Sequence, residues 1–301
     1  MTLSMRETFL TTISDALEAD ARLAVVLADI SAAQLEGARE RHPDRVINVG
    51  IREQLLVSVG GGLALAGMRP VLHTFGSFLL DRPYEQIKLD LNHQGVGAVL
   101  VSAGASYDMP TAGRTHQSSA DVALLDTLPG WTVHVPGHPD EARNLLLASL
   151  PGDDPVYLRP SEASNGDSLP GSGMRVIRRG SRGVVLAVGP MLDRTLAAVR
   201  QLDVTVLYTN TVRPFDAALL REAVHLSGTG DVLLVEPYLA GTSAHAVADA
   251  LSDLPHRVRA LGVRRDSELR IYGTMADHDA AHGLDEAGIA DAAKGFLREN
   301  R

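Results

Sequence analysis

The sequence predicts an α/β protein built on parallel strands. Short apolar runs rich in β-branched residues alternate with stretches of helical periodicity, and this alternation is typical of parallel strands joined by helices. The 301 residues suffice for about two domains of ordinary size. Residues 160–173 read PSEASNGDSLPGSG, which has no periodic apolar face. We therefore predict a first domain of residues 1–160, a linker of residues 161–174 and a second domain of residues 175–301.

Each half has its own series of strands and helices. In the first half the predicted strands, each a short and mostly apolar run, are residues 23–27, 45–49, 70–75, 98–102, 131–135 and 155–158. Helical periodicity there covers residues 5–18, 52–66, 83–92 and 140–150. After the linker, we predict strands at residues 183–188, 204–208, 232–236 and 258–261, and helices at residues 191–202, 217–226, 243–251 and 285–299. Four arginines just after the linker are interpreted as a solvated segment: Arg175, Arg178, Arg179 and Arg182.

The composition excludes several classes of function. A formal net charge of −9 argues against broad binding to nucleic acids or membrane surfaces, which needs clustered Lys and Arg. The absence of cysteine removes disulfides, thiolate nucleophiles and cysteine-type zinc sites. The apolar runs are too short to span a bilayer, and the first residues, MTLSMRETFL, lack the order of a signal peptide. We therefore expect a cytoplasmic protein.

Residues 48–67, NVGIREQLLVSVGGGLALAG, are the most informative segment. A strand ends in a glycine turn, and Glu53 then falls in the first turn of a long apolar helix. The position of Glu53 alone has an ordinary explanation, since the helix dipole favours a carboxylate in the first turn. Three consecutive glycines, Gly60 to Gly62, cost the helix roughly 1 kcal/mol each, so we interpret them as a close packing face against a second subunit.

Two further segments carry candidate functional residues. In residues 73–86, HTFGSFLLDRPYEQ, Phe75 and Phe78 are two of the five phenylalanines in the chain, and core packing would explain them equally well. Residues 106–118, SYDMPTAGRTHQS, form a polar loop after a predicted strand, where parallel sheets bind ligands. A histidine in such a loop, here His116, is by itself most often a solvated side chain.

Taken together, GIREQ with its apolar helix and the later THQ resemble the transketolase family, which includes 1-deoxyxylulose-5-phosphate synthases and oxoacid dehydrogenase beta subunits. The resemblance covers nearly the whole chain but only the second and third of the family's three domains. It implies a pyrimidine-binding thiamine diphosphate fold with a parallel sheet, followed by an α/β domain like the transketolase C-terminal domain. The site residues that it implies are Glu53 against N1′ of the aminopyrimidine ring, Phe75, Phe78 and Tyr84 around that ring, Asp29 near the thiazolium, His116 on substrate oxygens and Arg159 on a sugar phosphate. The residue types leave a second role open for Arg159, which is a pairing or capping role at the domain junction.

The resemblance also implies a chemistry for Glu53. Sharing a proton with N1′ favours the imino tautomer of the ring, whose 4′ nitrogen then removes the C2 proton of the thiazolium. The cofactor carries the carbanion chemistry, and the protein supplies orientation and protonation state. This chemistry requires that the carboxyl group of Glu53 lie in a dry site.

The loop departs from the family pattern at two positions. Where the family has DGPTHQ, this chain has AGRTHQ, so Ala112 replaces an aspartate and Arg114 replaces a proline. The first change removes an acceptor for a substrate hydroxyl, and the second adds a planar donor that suits phosphate or carboxylate. We therefore predict a non-standard substrate with an anionic group near Arg114.

The resemblance implies a partner as well. The family's diphosphate-binding domain holds Mg2+ and the diphosphate through a Gly-Asp-Gly segment and a later Asn, and this sequence has only GDD at residues 152–154 and GDS at residues 166–168, in predicted turns. We expect the beta subunit of a split transketolase that transfers a ketol unit between sugar phosphates, in a heterotetramer with a diphosphate-binding subunit. The alternatives are the beta subunit of a 2-oxoacid dehydrogenase, a decarboxylating enzyme like deoxyxylulose phosphate synthase, or a non-catalytic homologue. THQ favours sugar substrates.

One further cluster has metal-ligand residue types: Asp277, His278, Asp279 and His282. The family resemblance gives no context for a metal there, and a dedicated site shows a definable ligand set. We expect no metal to be held by this chain.

Overall fold

A computed structural model describes residues 3–298, with the side chain of Arg298 outside the description. Two sheets organise this part of the chain. The first has seven strands in the order β10-β5-β6-β4-β3-β1-β2, and the second has five in the order β12-β11-β8-β9-β7. The strands are β1 Leu23–Leu27, β2 Val46–Asn48, β3 Arg69–Phe75, β4 Val99–Ala103, β5 Thr132–His134, β6 Val156–Leu158, β7 Met174–Arg178, β8 Val184–Val188, β9 Thr205–Thr209, β10 Thr211–Arg213, β11 Asp231–Leu239 and β12 Arg257–Val263.

Helices cover both sheets. They are α1 Met5–Ala19, α2 Glu36–Arg41, α3 Glu53–Leu65, α4 Gly76–Leu80, α5 Tyr84–Gln86, α6 Asp121–Leu125, α7 Pro139–Ser149, α8 Leu192–Ala198, α9 Ala217–Ser227, α10 Ala244–Ala250, α11 Met275–His282 and α12 Glu286–Arg298. The last residue of the predicted final helix, Glu299, lies outside the described residues. None of the helices in residues 3–298 is long and apolar enough to cross a membrane.

The α/β architecture with parallel sheets is confirmed. In the first sheet β1 pairs in parallel with β2 and β3, β3 with β4, and β6 with both β4 and β5. Every residue of β1 and of β4 is buried, which is the pattern of parallel strands covered on both faces. Because the strands run the same way, their carboxyl ends lie at one edge, and Leu27 of β1 pairs there with His73 of β3.

Residues 159–173, which contain no helix or strand, separate the two halves of the chain, but the first sheet takes a strand from the second half. Strand β10, from the second half of the chain, pairs antiparallel with β5 at the edge of the first sheet. The sequence did not predict β10, because three residues are too few to show an alternating pattern. Its position is decided by the pairing partner rather than by its own composition.

The interpretation of four arginines as a solvated segment is wrong for two of them, whereas Arg179 and Arg182 are exposed. Arg175 and Arg178 lie in β7, an edge strand antiparallel to β9, and not in an irregular solvated stretch. Arg178 donates to the carbonyls of Val199 and Leu202 at 2.9 and 3.1 Å. Charged side chains are common on edge strands because they oppose further pairing, so the charge pattern masked a strand.

Other differences concern short or irregular helices. The helix predicted over residues 83–92 is the single turn α5 followed by a π-helix, Ile87–His93. Helices α2, α4, α6 and α11 were not predicted, since five to eight residues give too little periodicity to read.

The three glycines of α3 pack mainly within the chain, which corrects the interpretation of a face against a second subunit. A Cβ on Gly60 would lie 2.7 Å from a methyl group of Leu72 in β3, and one on Gly61 would lie 2.5 Å from the carbonyl oxygen of Asp90. Only Gly62 has open space around it. Two of the three glycines are therefore needed so that α3 can lie against β3 and the π-helix.

A buried histidine beneath the carboxyl edge of the sheet makes the fold sensitive to acid. His73 has no exposed surface, and its Nδ1–H donates to the carbonyl of Val101 at 2.8 Å while Nε2 lies 2.9 Å from Oγ of Ser31. Burial lowers the pKa of His73 from 6.5 to about 4. The folded state therefore binds this proton less tightly than the unfolded state, and stability that is present above pH 6.5 is lost as the pH falls towards 4.

We expect His73→Gln to reduce the loss of unfolding free energy between pH 7 and pH 4 by up to about 3 kcal/mol. The free energy of unfolding, measured in urea at intervals from pH 7 to pH 4, should fall less steeply in the variant than in the wild type. His93→Gln, at an exposed position, is the matched control and should follow the wild type. Parallel curves for all three proteins would contradict the prediction.

Candidate functional site

Three aromatic rings meet at the carboxyl edge of the first sheet. Strand β3 runs directly into α4, so Phe75 and Phe78 lie one helical turn apart at the strand end. Their ring centroids are 5.6 Å apart at an interplanar angle of 85°. The ring of His116 lies 5.0 Å from each of them. All three side chains keep part of their surface exposed, so the cluster can accept a flat ligand.

The polar loop is fixed to this cluster by backbone contacts. Ser106 and Ser118 exchange two backbone hydrogen bonds of 2.9 and 2.8 Å at the two ends of the loop. Oγ of Ser77, in α4, donates to the carbonyl of Thr115 at 2.9 Å. Residues Arg114 to His116 form a single 3-10 turn, which therefore presents His116 to the phenylalanines.

Glu53 joins the cluster through an arginine. Gly50, with φ of 71°, turns the chain from β2 into α3, and Glu53 is the first residue of that helix. The Glu53 side chain is 4% exposed, and Oε1 accepts from Arg82 at 3.1 Å. The guanidinium of Arg82 also lies over the ring of Phe78, 3.5 Å from its centroid. A buried carboxylate needs such a partner, and the result is a continuous group of Glu53, Arg82, Phe78, Phe75 and His116.

Sequence reasoning did not assign Arg82 to the site. It appeared only within residues 73–86, HTFGSFLLDRPYEQ, and was given no role there. A signal was present, since Arg82 is the only Lys or Arg in residues 73–86 and follows Phe78 by four positions. Its pairing with Glu53, twenty-nine residues earlier in the chain, required the tertiary structure.

Two predicted site residues lie near the cluster without joining it. Asp29 follows β1 with φ of 70°, and its N–H donates to Oδ1 of Asn48 at 3.0 Å, so the ends of β1 and β2 are held together. The hydroxyl of Tyr84 hydrogen-bonds to Oγ1 of Thr127. Asp29 thus remains an exposed carboxylate at the carboxyl edge, whereas the hydroxyl of Tyr84 ties α5 to the segment after α6.

Arg159 forms an ion pair at the junction between the two halves of the chain, which agrees with the pairing role that its residue type left open. The side chain has no exposed surface, and Nε pairs with Oδ2 of Asp121 at 2.6 Å. NH2 donates to Oγ of Ser106 at 2.8 Å, and the guanidinium lies 5.5 Å from the ring of Tyr238, in β11 of the second sheet. No surface of Arg159 is open to a sugar phosphate in this structure, and its substrate contact remains a prediction.

Arg114 lies at the surface of the loop. Its side chain is 57% exposed, and Nε donates to Oε1 of Glu268 at 2.5 Å. The residues of the suggested metal cluster have other contacts. Asp277 caps α11 through Thr274, and the ring of His278 stacks on Tyr107 at 5.1 Å.

Residues 1–166 match the family model described as "Transketolase, pyrimidine binding domain". This match covers more than half of the chain and includes the aromatic cluster, the loop and Glu53. The chain belongs to the transketolase family.

Two relatives show the range of that family. The chain is 55% identical over 291 residues to the "Uncharacterized 33.6 kDa protein in fasciation locus" of Rhodococcoides fascians, covering 96% of this chain and 93% of the relative. It is 33% identical over 302 residues to the 1-deoxy-D-xylulose-5-phosphate synthase of Thioalkalivibrio sulfidiphilus, covering 95% of this chain. The chain spans only 46% of that synthase.

Solved transketolase structures have the same fold. A structure titled "Split gene transketolase, inactive beta4 tetramer" superposes with a TM-score of 0.83 at 24% identity and covers 100% of both chains. Transketolase from Leishmania mexicana superposes with a TM-score of 0.78 at 18% identity, covering 97% of this chain and 45% of the other. At these identities the likeness concerns the fold alone.

Proposed function

We propose that this chain is the beta subunit of a thiamine-diphosphate-dependent transketolase, which transfers a ketol unit between sugar phosphates. The observation that carries the proposal is the buried Glu53, joined through Arg82 to the rings of Phe75, Phe78 and His116. An aminopyrimidine ring requires a carboxyl group opposite N1′ and flat side chains along its faces. The residues present fit both requirements.

Each residue has a distinct role in the proposed reaction. Glu53 holds the proton that it shares with N1′, and its burial keeps water from competing for that proton. Phe75 and Phe78 hold the ring by aromatic contact. His116 donates a hydrogen bond to a substrate oxygen on which negative charge develops. When bound, the cofactor supplies the carbanion that attacks the substrate carbonyl.

Arg82 must move for this arrangement to form. Its guanidinium covers one face of Phe78 and uses an oxygen of Glu53, which are the two groups that an aminopyrimidine ring would contact. The Arg82 side chain is 42% exposed, so solvent can receive it once Glu53 is released. Cofactor binding therefore replaces Arg82 with the aminopyrimidine ring as the partner of Glu53.

We further propose that a separate subunit holds the diphosphate and Mg2+, and that the two kinds of chain form a heterotetramer. The support is the solved split gene transketolase, a chain of the same extent as this one that is described as an inactive beta4 tetramer. We also propose that Asp29, which is exposed at the carboxyl edge of the first sheet, lies near the thiazolium of the bound cofactor.

A second candidate function is a decarboxylating synthase of the deoxyxylulose phosphate type. The relative at 33% identity over 95% of this chain favours it. Ala112, which lacks the acceptor for a substrate hydroxyl, is compatible with either reaction. The two candidates differ in the donor, which is a ketose phosphate in the first and pyruvate in the second.

Reconstitution tests the proposal. The chain is mixed with a diphosphate-binding transketolase subunit, thiamine diphosphate and Mg2+, and turnover is measured with ketose phosphates and with pyruvate. We expect ketol transfer from a ketose phosphate to an aldose phosphate. Turnover of pyruvate alone would replace the first candidate with the second, and an inert complex that nevertheless binds the cofactor would identify a non-catalytic homologue.

A further inference from the structure

A positively charged cleft opens beside the loop that carries His116. It lies between the 3-10 turn Arg114–His116 and residues 263–269, from the last residue of β12 onwards, and its volume is about 440 Å3. This is within the usual range for sites that bind small molecules. The polar residues that line it include Arg114, Gln117, Arg264, Arg265, Glu268 and His282.

The charges in the cleft do not balance. Arg114 pairs with Glu268 at 2.5 Å, and Arg264 pairs with Asp266 at 2.8 Å. Arg265 donates Nε to the carbonyl of Ala240 at 2.6 Å, and no carboxylate of residues 3–298 lies within ion-pair distance of it. Three guanidinium groups thus face two carboxylates, in a chain whose formal net charge is −9.

We propose that this cleft binds the phosphate group of a phosphorylated substrate, through Arg114 and Arg265. The carboxylate of Glu268 on Arg114 occupies the place that a phosphate oxygen would take, and it shows that the guanidinium can be reached by an anion from the cleft. Planar guanidinium donors suit phosphate. Phosphate displaces Glu268 and gains the free donors of Arg265.

The position of the cleft connects it with the reaction site. Arg114 and His116 belong to the same 3-10 turn, and Gln117, the next residue, also lines the cleft. The proposed phosphate site therefore lies in the same loop as His116, the residue proposed to contact substrate oxygens. That the phosphate belongs to a substrate rests on the proposed function, whereas the phosphate site itself does not.

Titration of the full chain with inorganic phosphate at low ionic strength tests the site. We expect Arg114→Gln and Arg265→Gln each to weaken phosphate binding about tenfold, because each removes charge-assisted hydrogen bonds. Glu268→Gln should tighten binding several-fold, since it removes the competing carboxylate. These opposite signs separate a specific site from a change in overall charge.

Arg221→Gln is the matched control. Arg221 forms an exposed pair with Asp253 at 2.5 Å, away from the cleft, with side-chain exposures of 41% and 62% against 57% and 53% for Arg114 and Glu268. It should bind phosphate as the wild type does. A wild type that does not bind phosphate, unchanged binding in the cleft variants, or an equal loss in Arg221→Gln would each overturn the proposal.

A second measurement assigns the phosphate to the substrate. In the reconstituted enzyme, Arg265→Gln should lower kcat/KM about tenfold for a phosphorylated ketose but leave kcat/KM for the same ketose without phosphate unchanged. An equal effect on both substrates would overturn the substrate assignment. If reconstitution yields no ketol transfer but phosphate binding follows the variants as expected, the proposed function fails and the phosphate site stands.

Discussion

Glu53→Gln is expected to lower the ketol-transfer rate of the reconstituted enzyme by at least about 100-fold, the usual minimum for loss of a positioned proton partner. Glutamine has nearly the shape of glutamate and still accepts from Arg82, so the fold of α3 should persist. It cannot take up and return a proton at N1′. The rate is measured at saturating cofactor, and the binding of thiamine diphosphate is measured separately.

Glu286→Gln provides the control, because Glu286 also lies in the first turn of a helix but belongs to α12. It should retain full activity. The free energy of unfolding of Glu53→Gln should lie within about 1 kcal/mol of the wild type, since Arg82 is partly solvated. An active Glu53→Gln enzyme would contradict both the mechanism and the proposed function.

Arg159→Met is expected to destabilise the fold by about 3–5 kcal/mol, the range for removing one partner of a buried ion pair. The variant leaves the carboxylate of Asp121, which has no exposed surface, with the hydroxyl of Tyr157 at 2.8 Å as its remaining side-chain donor. It also removes the contact with Tyr238 across the junction. Urea unfolding, with the midpoint and slope fitted together, measures the loss.

Arg22→Met is the exposed counterpart, since Arg22 pairs with Asp153 at side-chain exposures of 44% and 77%. It should cost no more than about 1 kcal/mol. The double variant Arg159→Met/Asp121→Leu should recover part of the loss, because no buried charge then lacks its partner. A cost for Arg159→Met as small as for Arg22→Met would show that the junction does not depend on this pair.

The regular elements of the fold could be predicted from local patterns. Strands such as β1 and β8 are continuous apolar runs, and helices such as α1 and α9 repeat with a period of 3.6 residues. Some short elements were missed, among them β10 and α4. Strand β10 forms because β5, which is distant in sequence, supplies its hydrogen bonds, and α4 is held by packing against β3 and β4.

The candidate site was predictable to a similar extent. Phe75, Phe78 and His116 were named from their segments, and the structure brings their rings within 5.0–5.6 Å of one another. Arg82 was missed as a site residue because its partner Glu53 lies in another element. The sequence left Arg159 with two roles, a phosphate contact or a pairing role at the junction, and its burial favours the pairing role.

The sequence by itself determined the α/β class, the family and the residues that carry candidate chemistry, because these follow from local periodicity and from short segments whose residues act together. The tertiary structure alone decided which of those residues meet. Arg82 reaches Glu53 and Phe78, Arg159 is buried against Asp121 and Tyr238, and Arg114 pairs with Glu268. Side-chain pairing and burial depend on atoms from distant parts of the chain, so no local pattern contains them.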